Sequence, residues 1–271
     1  MSANTIVLAQ LEVSDCSAEL WLNGIPLMRL APPMMHIQNL AVEQYLIPGT
    51  NTLELVIEPG VRPSLARKEL REVAFRPMAA TGRLIRFPEG VPGTVEYGEL
   101  LCEARFSWLD ATPDRQSFPR SIGAQVNMGP AHGRFSWQDA PTLVLNAVTI
   151  DEACALLDEL EEAIVALDEE RLWRLTGLKL HDVLRSYSQV TEESLRREFK
   201  ALLGRQQNAL TAVLHRDRSK HAFRIVAGGR MLQCIDDDWT SSFKLQNPRT
   251  GSLIQYPLFL ARIDARLQVI R

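Results

Sequence analysis

From the amino terminus to about Ile150, apolar positions recur every second residue between turn-forming residues, the rhythm of β-strands. In "AELWLNGIPL" (Ala18 to Leu27), Leu20 and Leu22 alternate with Glu19 and Trp21. Asn23-Gly24, two residues tolerant of positive φ, then separates them from Ile25 and Leu27, which predicts a hairpin. "IPGTN" makes a corner, after which Leu53, Leu55 and Ile57 share one face and Thr52, Glu54 and Glu58 the other. "ELLCEARFSW" sets Leu100, Cys102, Ala104, Phe106 and Trp108 against Glu103, Arg105 and Ser107. "GRFSWQDAPTLVLNAV" (Gly133 to Val148) predicts two more short strands. Many brief strands with Gly and Pro between them predict an all-β sandwich over residues 1–150.

At Asp151 the period changes. "DEACALLDELEEAIVAL" places Cys154, Leu157, Leu160, Ile164 and Leu167 at helical spacing, with Asp151 as the expected N-cap. Two shorter helices are expected around Glu169 to Leu175 and Leu178 to Tyr187. A fourth is expected from Thr191 to Leu203, its buried stripe Leu195, Phe199, Leu202 and Leu203, with Gly204 as the stop. Strand rhythm then returns in "ALTAVLH", "HAFRIVAGGRMLQCID" with a Gly228-Gly229 hairpin loop, "SSFKLQN" and "SLIQYPLFLARIDARLQVIR". Asp264-Ala265 fits either a continuing strand or a tight turn. Residues 151–271 therefore predict an α+β domain, helices packed on a curved antiparallel sheet.

Two family resemblances follow from these residues. "AELWLNGIPL" followed by "VEQYLIPGTNTLELVI" resembles the core of galactose-binding-like jelly rolls, such as the accessory sandwich domain of family 2 glycoside hydrolases. The likeness spans about 45 residues. It implies a jelly-roll fold and sugar binding in sandwich loops. The order of helices and strands after Asp151 resembles the cone-shaped nuclear transport factor 2-like, or SnoaL-like, fold, which implies a cavity between helices and sheet.

Composition narrows the partners. The net charge is −3, and the segments before and after Ile150 hold 12 basic against 15 acidic residues and 18 against 18. Neither carries the basic excess that a phosphate backbone demands, so nucleic acid is not expected as a partner. No run approaches about 18 uninterrupted apolar residues, and "MSANTIVLAQ" is not built like a secretory signal, so a cytoplasmic, non-membrane protein is expected. Cys16, Cys102, Cys154 and Cys234 lie far apart without a CxxC and are expected as reduced core thiols.

Candidate chemistry is sparse. His181, in "LKLHDVLRSY", reads first as an ordinary helix histidine; in a cone cavity it is the candidate general base, since imidazole exchanges protons near pH 7. Asp182 is a poor orienter for it, because helix neighbours point about 100° apart. His215 and His221 bracket the polar turn "RDRSK", and Asp236, Asp237 and Asp238 form an acidic loop without the spacing of a calcium site. "NMGPAHGRFSW" nominates His132, Arg134 and Trp137 for a sugar ring, with Trp108 and Trp21 as further aromatics. No GxSxG, GxxxxGK[ST], HExxH or GxGxxG occurs, and no cofactor or metal is expected. The expected function is a non-catalytic binding or assembly protein, joining a protein partner or a second copy through Phe243, Leu245, Tyr256, Leu258 and Leu260 on the C-terminal sheet. The alternatives are an isomerase-like or hydrolase-like enzyme using His181, and sugar binding by the sandwich.

Overall fold

The computed structural model describes residues 5–31, 36–59, 70–88, 97–109, 115–129, 134–187, 189–208, 212–213, 218–237, 240–247, 250–251 and 253–271. The chain is mostly β, in several antiparallel sheets, with four α-helices among the described residues. It divides into two compact units, Met1–Gly133 and Arg134–Arg271.

The first unit holds β1 (Thr5–Ser14), β2 (Ser17–Leu22), β3 (Ile25–Leu30), β4 (Ile37–Ala41), β5 (Gly49–Glu58), β6 (Arg71–Ala74), β7 (Met78–Pro88), β8 (Glu99–Trp108), β9 (Arg115–Phe118) and β10 (Arg120–Met128). They form two four-stranded sheets, ordered β4-β1-β7-β8 and β10-β5-β2-β3, and a β6-β9 pair. The expected hairpin joins β2 to β3, with Asn23 at φ 53° and Gly24 at φ 74°, the left-handed pair whose twist suits flanking strands. Pro26 is tolerated because β3 is an edge strand. Strand β2 departs from the expected alternation: every residue is buried, Glu19 and Trp21 included. The two large sheets meet through Gly82 on β7 and Leu20 on β2, where a Cβ on Gly82 would lie 2.3 Å from Leu20 Cδ1. On β8, Ala104, Phe106 and Trp108 face the interior as expected, whereas Leu100, beyond a register shift at Leu84/Ile85, is exposed.

On the outer face of the β1, β7 and β8 ladder, register places side chains in rows. Gln10, Arg83 and Glu103 make one row; Glu12, Thr81 and Arg105 the next; Ser14, Ala79 and Ser107 the third.

The second unit begins before the rhythm change at Asp151, because the segment from Arg134 packs on later strands. Leu143 donates its backbone N–H to Gly229 O at 2.7 Å and lies in the C-terminal core. Gly229, at φ 94°, has no room for a Cβ, which would sit 2.8 Å from Thr142 Cγ2. In place of two strands this segment makes a 3-10 turn over Ser136–Asp139 and an extended stretch. Asn146 then caps α1 (Ala147–Val165), accepting from Thr149 N at 2.9 Å, so the helix starts before Asp151.

Next come α2 (Glu169–Leu175), α3 (Gly177–Ser186) and α4 (Glu192–Asn208). Helix α4 continues through Gly204 rather than stopping there. Strands β11 (Ala212–Val213), β14 (Lys244–Gln246) and β15 (Leu253–Gln255) form one sheet, ordered β11-β14-β15. A second contains β12 (His221–Val226), β13 (Met231–Asp236), β16 (Leu258–Ile263) and β17 (Arg266–Val269) in that order. The loop joining β12 to β13 is longer than a Gly-Gly pair, with Ala227, Gly228 and Gly229 all at positive φ. Asp264-Ala265 is a tight turn, with φ values of 49° and 64°.

The core of this unit joins Leu157, Leu160 and Ala163 of α1 to Leu232, Cys234, Leu258 and Leu260. Phe243, Leu245, Leu258 and Leu260, expected on an exposed face, are buried, and Tyr256 packs partly against the core. Strand alternation identifies them as one face but not which side of the sheet the helices cover.

Candidate functional site

The second unit holds a fully buried carboxylate, Asp182, on α3. Its Oδ2 accepts from Arg271 Nη1 at 2.8 Å. Its Oδ1 accepts from Ser136 Oγ at 3.0 Å, and Ser136 N lies 3.3 Å from Oδ2. Burying a carboxylate is tolerable only with such partners. Two guanidinium groups approach the buried Phe135 ring, with Arg271 Cζ 5.5 Å and Arg185 Cζ 5.9 Å from its centroid. Burial first, then Arg271, pushes the Lys179 ammonium below its usual range.

His181 does not join this network. Its side chain is 61% exposed and Nδ1 stands 4.0 Å from Asp182 Oδ1, beyond hydrogen-bond reach. Asp182 is thus turned inward to Arg271 and Ser136 rather than towards His181. Trp137 is 5% exposed and offers no ring for stacking, and Arg134 pairs at the surface with Asp139 at 2.6 Å. Trp21 and Trp108 are buried. His132, His215 and Asp238 lie outside the described residues.

A second buried carboxylate, Asp236, accepts from Lys244 Nζ at 2.7 Å and contacts His221 Nδ1 at 3.0 Å. Lys244 is 1% exposed. Its strand, β14, belongs to one sheet and Asp236 to the other, so the ion pair links the two sheets of this unit. Asp237 lies apart, paired at the surface with Lys220. Among the described residues no group of three His, Cys, Asp or Glu side chains is placed to hold a metal.

In the first unit, a trough of about 210 Å³ opens on the outer face of β1, β7 and β8. The middle strand contributes Ala79 and Thr81 to its lining, with the longer Glu12, Arg83, Arg105 and Leu109 and the small Ser14 and Ser107 around them. Arg83 is neutralised, its Nε 2.7 Å from Glu103 Oε2 and its Nη1 3.2 Å from Glu12 Oε2. Strand alternation places Arg105 opposite the apolar face of its strand, but the trough itself needs three distant segments in register.

No protein-family model, curated protein or solved structure matches this chain. No helix among the described residues is long and apolar enough to cross a membrane.

Proposed function

We propose that the protein is a non-catalytic binding protein. The observation that carries this reading is how its charges are partnered. Asp182 and Asp236 are buried against Arg271 and Lys244, where they hold structure, while the charged trough on the β1, β7 and β8 face lies open to solvent. On this reading the two large sheets of the first unit form a jelly-roll-like sandwich, supported by the Gly82 to Leu20 contact. The second unit is a helix-on-sheet cone of the nuclear transport factor 2-like kind, supported by the shared core of α1 and the strands. Four unpaired thiols support a reducing compartment such as the cytoplasm.

The test is a thermal-shift screen of the full chain with small polar compounds. The reading expects a stabilising compound that is recovered unchanged and binds His181→Ala equally well. A compound that is chemically converted, with conversion lost in His181→Ala, contradicts it and favours an isomerase-like or hydrolase-like enzyme.

Assembly with a second copy is a companion reading. The buried apolar residues of the C-terminal strands do not support it, but Val144, Leu145 and Val148 do, exposed by 67%, 43% and 64% within five positions. Sedimentation equilibrium of the wild type and Val148→Asp tests it: a dimer that the substitution dissociates supports it, and a strict monomer contradicts it.

A further inference from the structure

We infer that the trough on the outer face of β1, β7 and β8 binds a small hydroxylated carboxylate, a single ring the size of a sugar acid. The inference rests on the binding-protein reading above and adds to it a place and a ligand class.

The shape of the trough follows from register. Across the ladder Glu12 stands opposite Thr81, and Thr81 opposite Arg105. Strands are spaced by about 4.8 Å, so Glu12 and Arg105 start roughly 10 Å apart with the short Thr81 between them. The next row, Ser14, Ala79 and Ser107, is short throughout, which leaves the depression. Its volume of about 210 Å³ is below the usual range for drug-sized ligands, roughly 300–1,000 Å³, and matches one small ring.

Charge selects the class of ligand. Both cations of the trough come from arginine, but Arg83 already faces Glu103, Glu12 and the Gln10 amide oxygen, at 2.9 Å from the last. The Arg105 side chain is exposed and has no hydrogen bond or ion pair among the described residues. A guanidinium with its donors unused matches a carboxylate bidentately. Arg83 and Arg105 are balanced by Glu12 and Glu103, so the attraction for an anion is local to the Arg105 guanidinium, which suits a single carboxylate and disfavours a phosphate dianion. The hydroxyls of Thr81 and Ser107 can exchange hydrogen bonds with ring hydroxyls, while Ser14, which donates to Asp15 Oδ2 at 2.9 Å, and the Glu12 carboxylate can accept from them. Leu109, 60% exposed, supplies apolar surface for the C–H face of a ring.

Isothermal titration of the full chain with D-glucuronate, D-glucose and inorganic phosphate tests the inference, using wild type, Arg105→Gln and Ser107→Ala. Because both residues are exposed, circular dichroism should show both variants folded. Glucuronate is expected to bind the wild type, at least tenfold more weakly in Arg105→Gln and several-fold more weakly in Ser107→Ala, with glucose weaker and phosphate silent. Phosphate binding as tightly as glucuronate overturns the ligand class, and glucuronate binding that ignores both substitutions overturns the place. Either result leaves the binding-protein reading standing, whereas that reading fails on turnover in the screen above. No heat from glucuronate at millimolar concentration overturns the inference outright.

Discussion

The side-chain amide of Asn23 donates to Asn51 Oδ1 at 2.7 Å and so ties the β2–β3 hairpin to the corner that starts β5. Asn51 is fully buried, and its own Nδ2 donates to Ile47 O at 2.8 Å and Gly49 O at 3.0 Å. Asn23 Oδ1 accepts from Thr52 N at 3.0 Å. The two asparagines act as backbone substitutes where the chain leaves regular pairing. Replacing Asn51 with Ala leaves buried groups unsatisfied, so Asn51→Ala is expected to lower unfolding free energy by about 2–4 kcal/mol, measured by urea denaturation. A loss below about 0.5 kcal/mol would show that water replaces the asparagine without penalty.

Lys244 and Asp236 provide a second test. Removing one partner leaves the other charge buried without it, so Lys244→Met is expected to cost about 3 kcal/mol. The double variant Lys244→Met/Asp236→Leu removes both charges and should cost less than the sum of the single changes. Additive losses in equilibrium unfolding would mean that the 2.7 Å contact does not couple the two sheets.

Helix α3 separates an inward carboxylate from an outward imidazole one residue away. Asp182→Ala leaves Arg271 buried and is expected to cost about 3–5 kcal/mol. His181→Ala, at a position 61% exposed, should change stability by less than about 0.5 kcal/mol. Equal losses in thermal unfolding would place His181 in the network.

The Asn23-Gly24 hairpin turn was legible in the sequence because Asn-Gly tolerates positive φ whatever surrounds it, and both residues adopt it. The long helices were legible from their apolar stripes. Other features depended on tertiary context. Gly204 is compatible with a stop, but mid-helix glycine costs only about 1 kcal/mol, and α4 runs past it. The segment from Phe135 to Leu143 carries no decisive period, because it is ordered by later strands, through Gly229, Arg230 and Arg271. The trough was invisible for a related reason: Glu12, Thr81 and Arg105 are distant in sequence and meet only through strand register.

The thiols predict an alkaline limit to stability. Burial raises Cys16 from 9.0 to about 11, outweighing the opposing Ser14 backbone and Arg76, and burial also raises Cys234. Above pH 9 the unfolded chain loses thiol protons that the folded chain retains. The stability contributed by Cys16 is therefore complete below pH 9 and falls by about 2–3 kcal/mol as pH rises towards 11. Urea unfolding between pH 7.5 and 10.5 should show this decline, and Cys16→Ala should flatten it. An unchanged slope in that variant would assign the decline to other groups.

Where a ligand sits is tested most directly by amide chemical-shift mapping of the full chain during titration with D-glucuronate. Shifts centred on Glu12, Thr81, Arg83 and Arg105 are expected, with those of Ser136, His181 and Asp182 unmoved. Shifts centred on Ser136, His181 and Asp182 instead would contradict that placement, moving the functional site to the second unit and reopening the enzymatic reading.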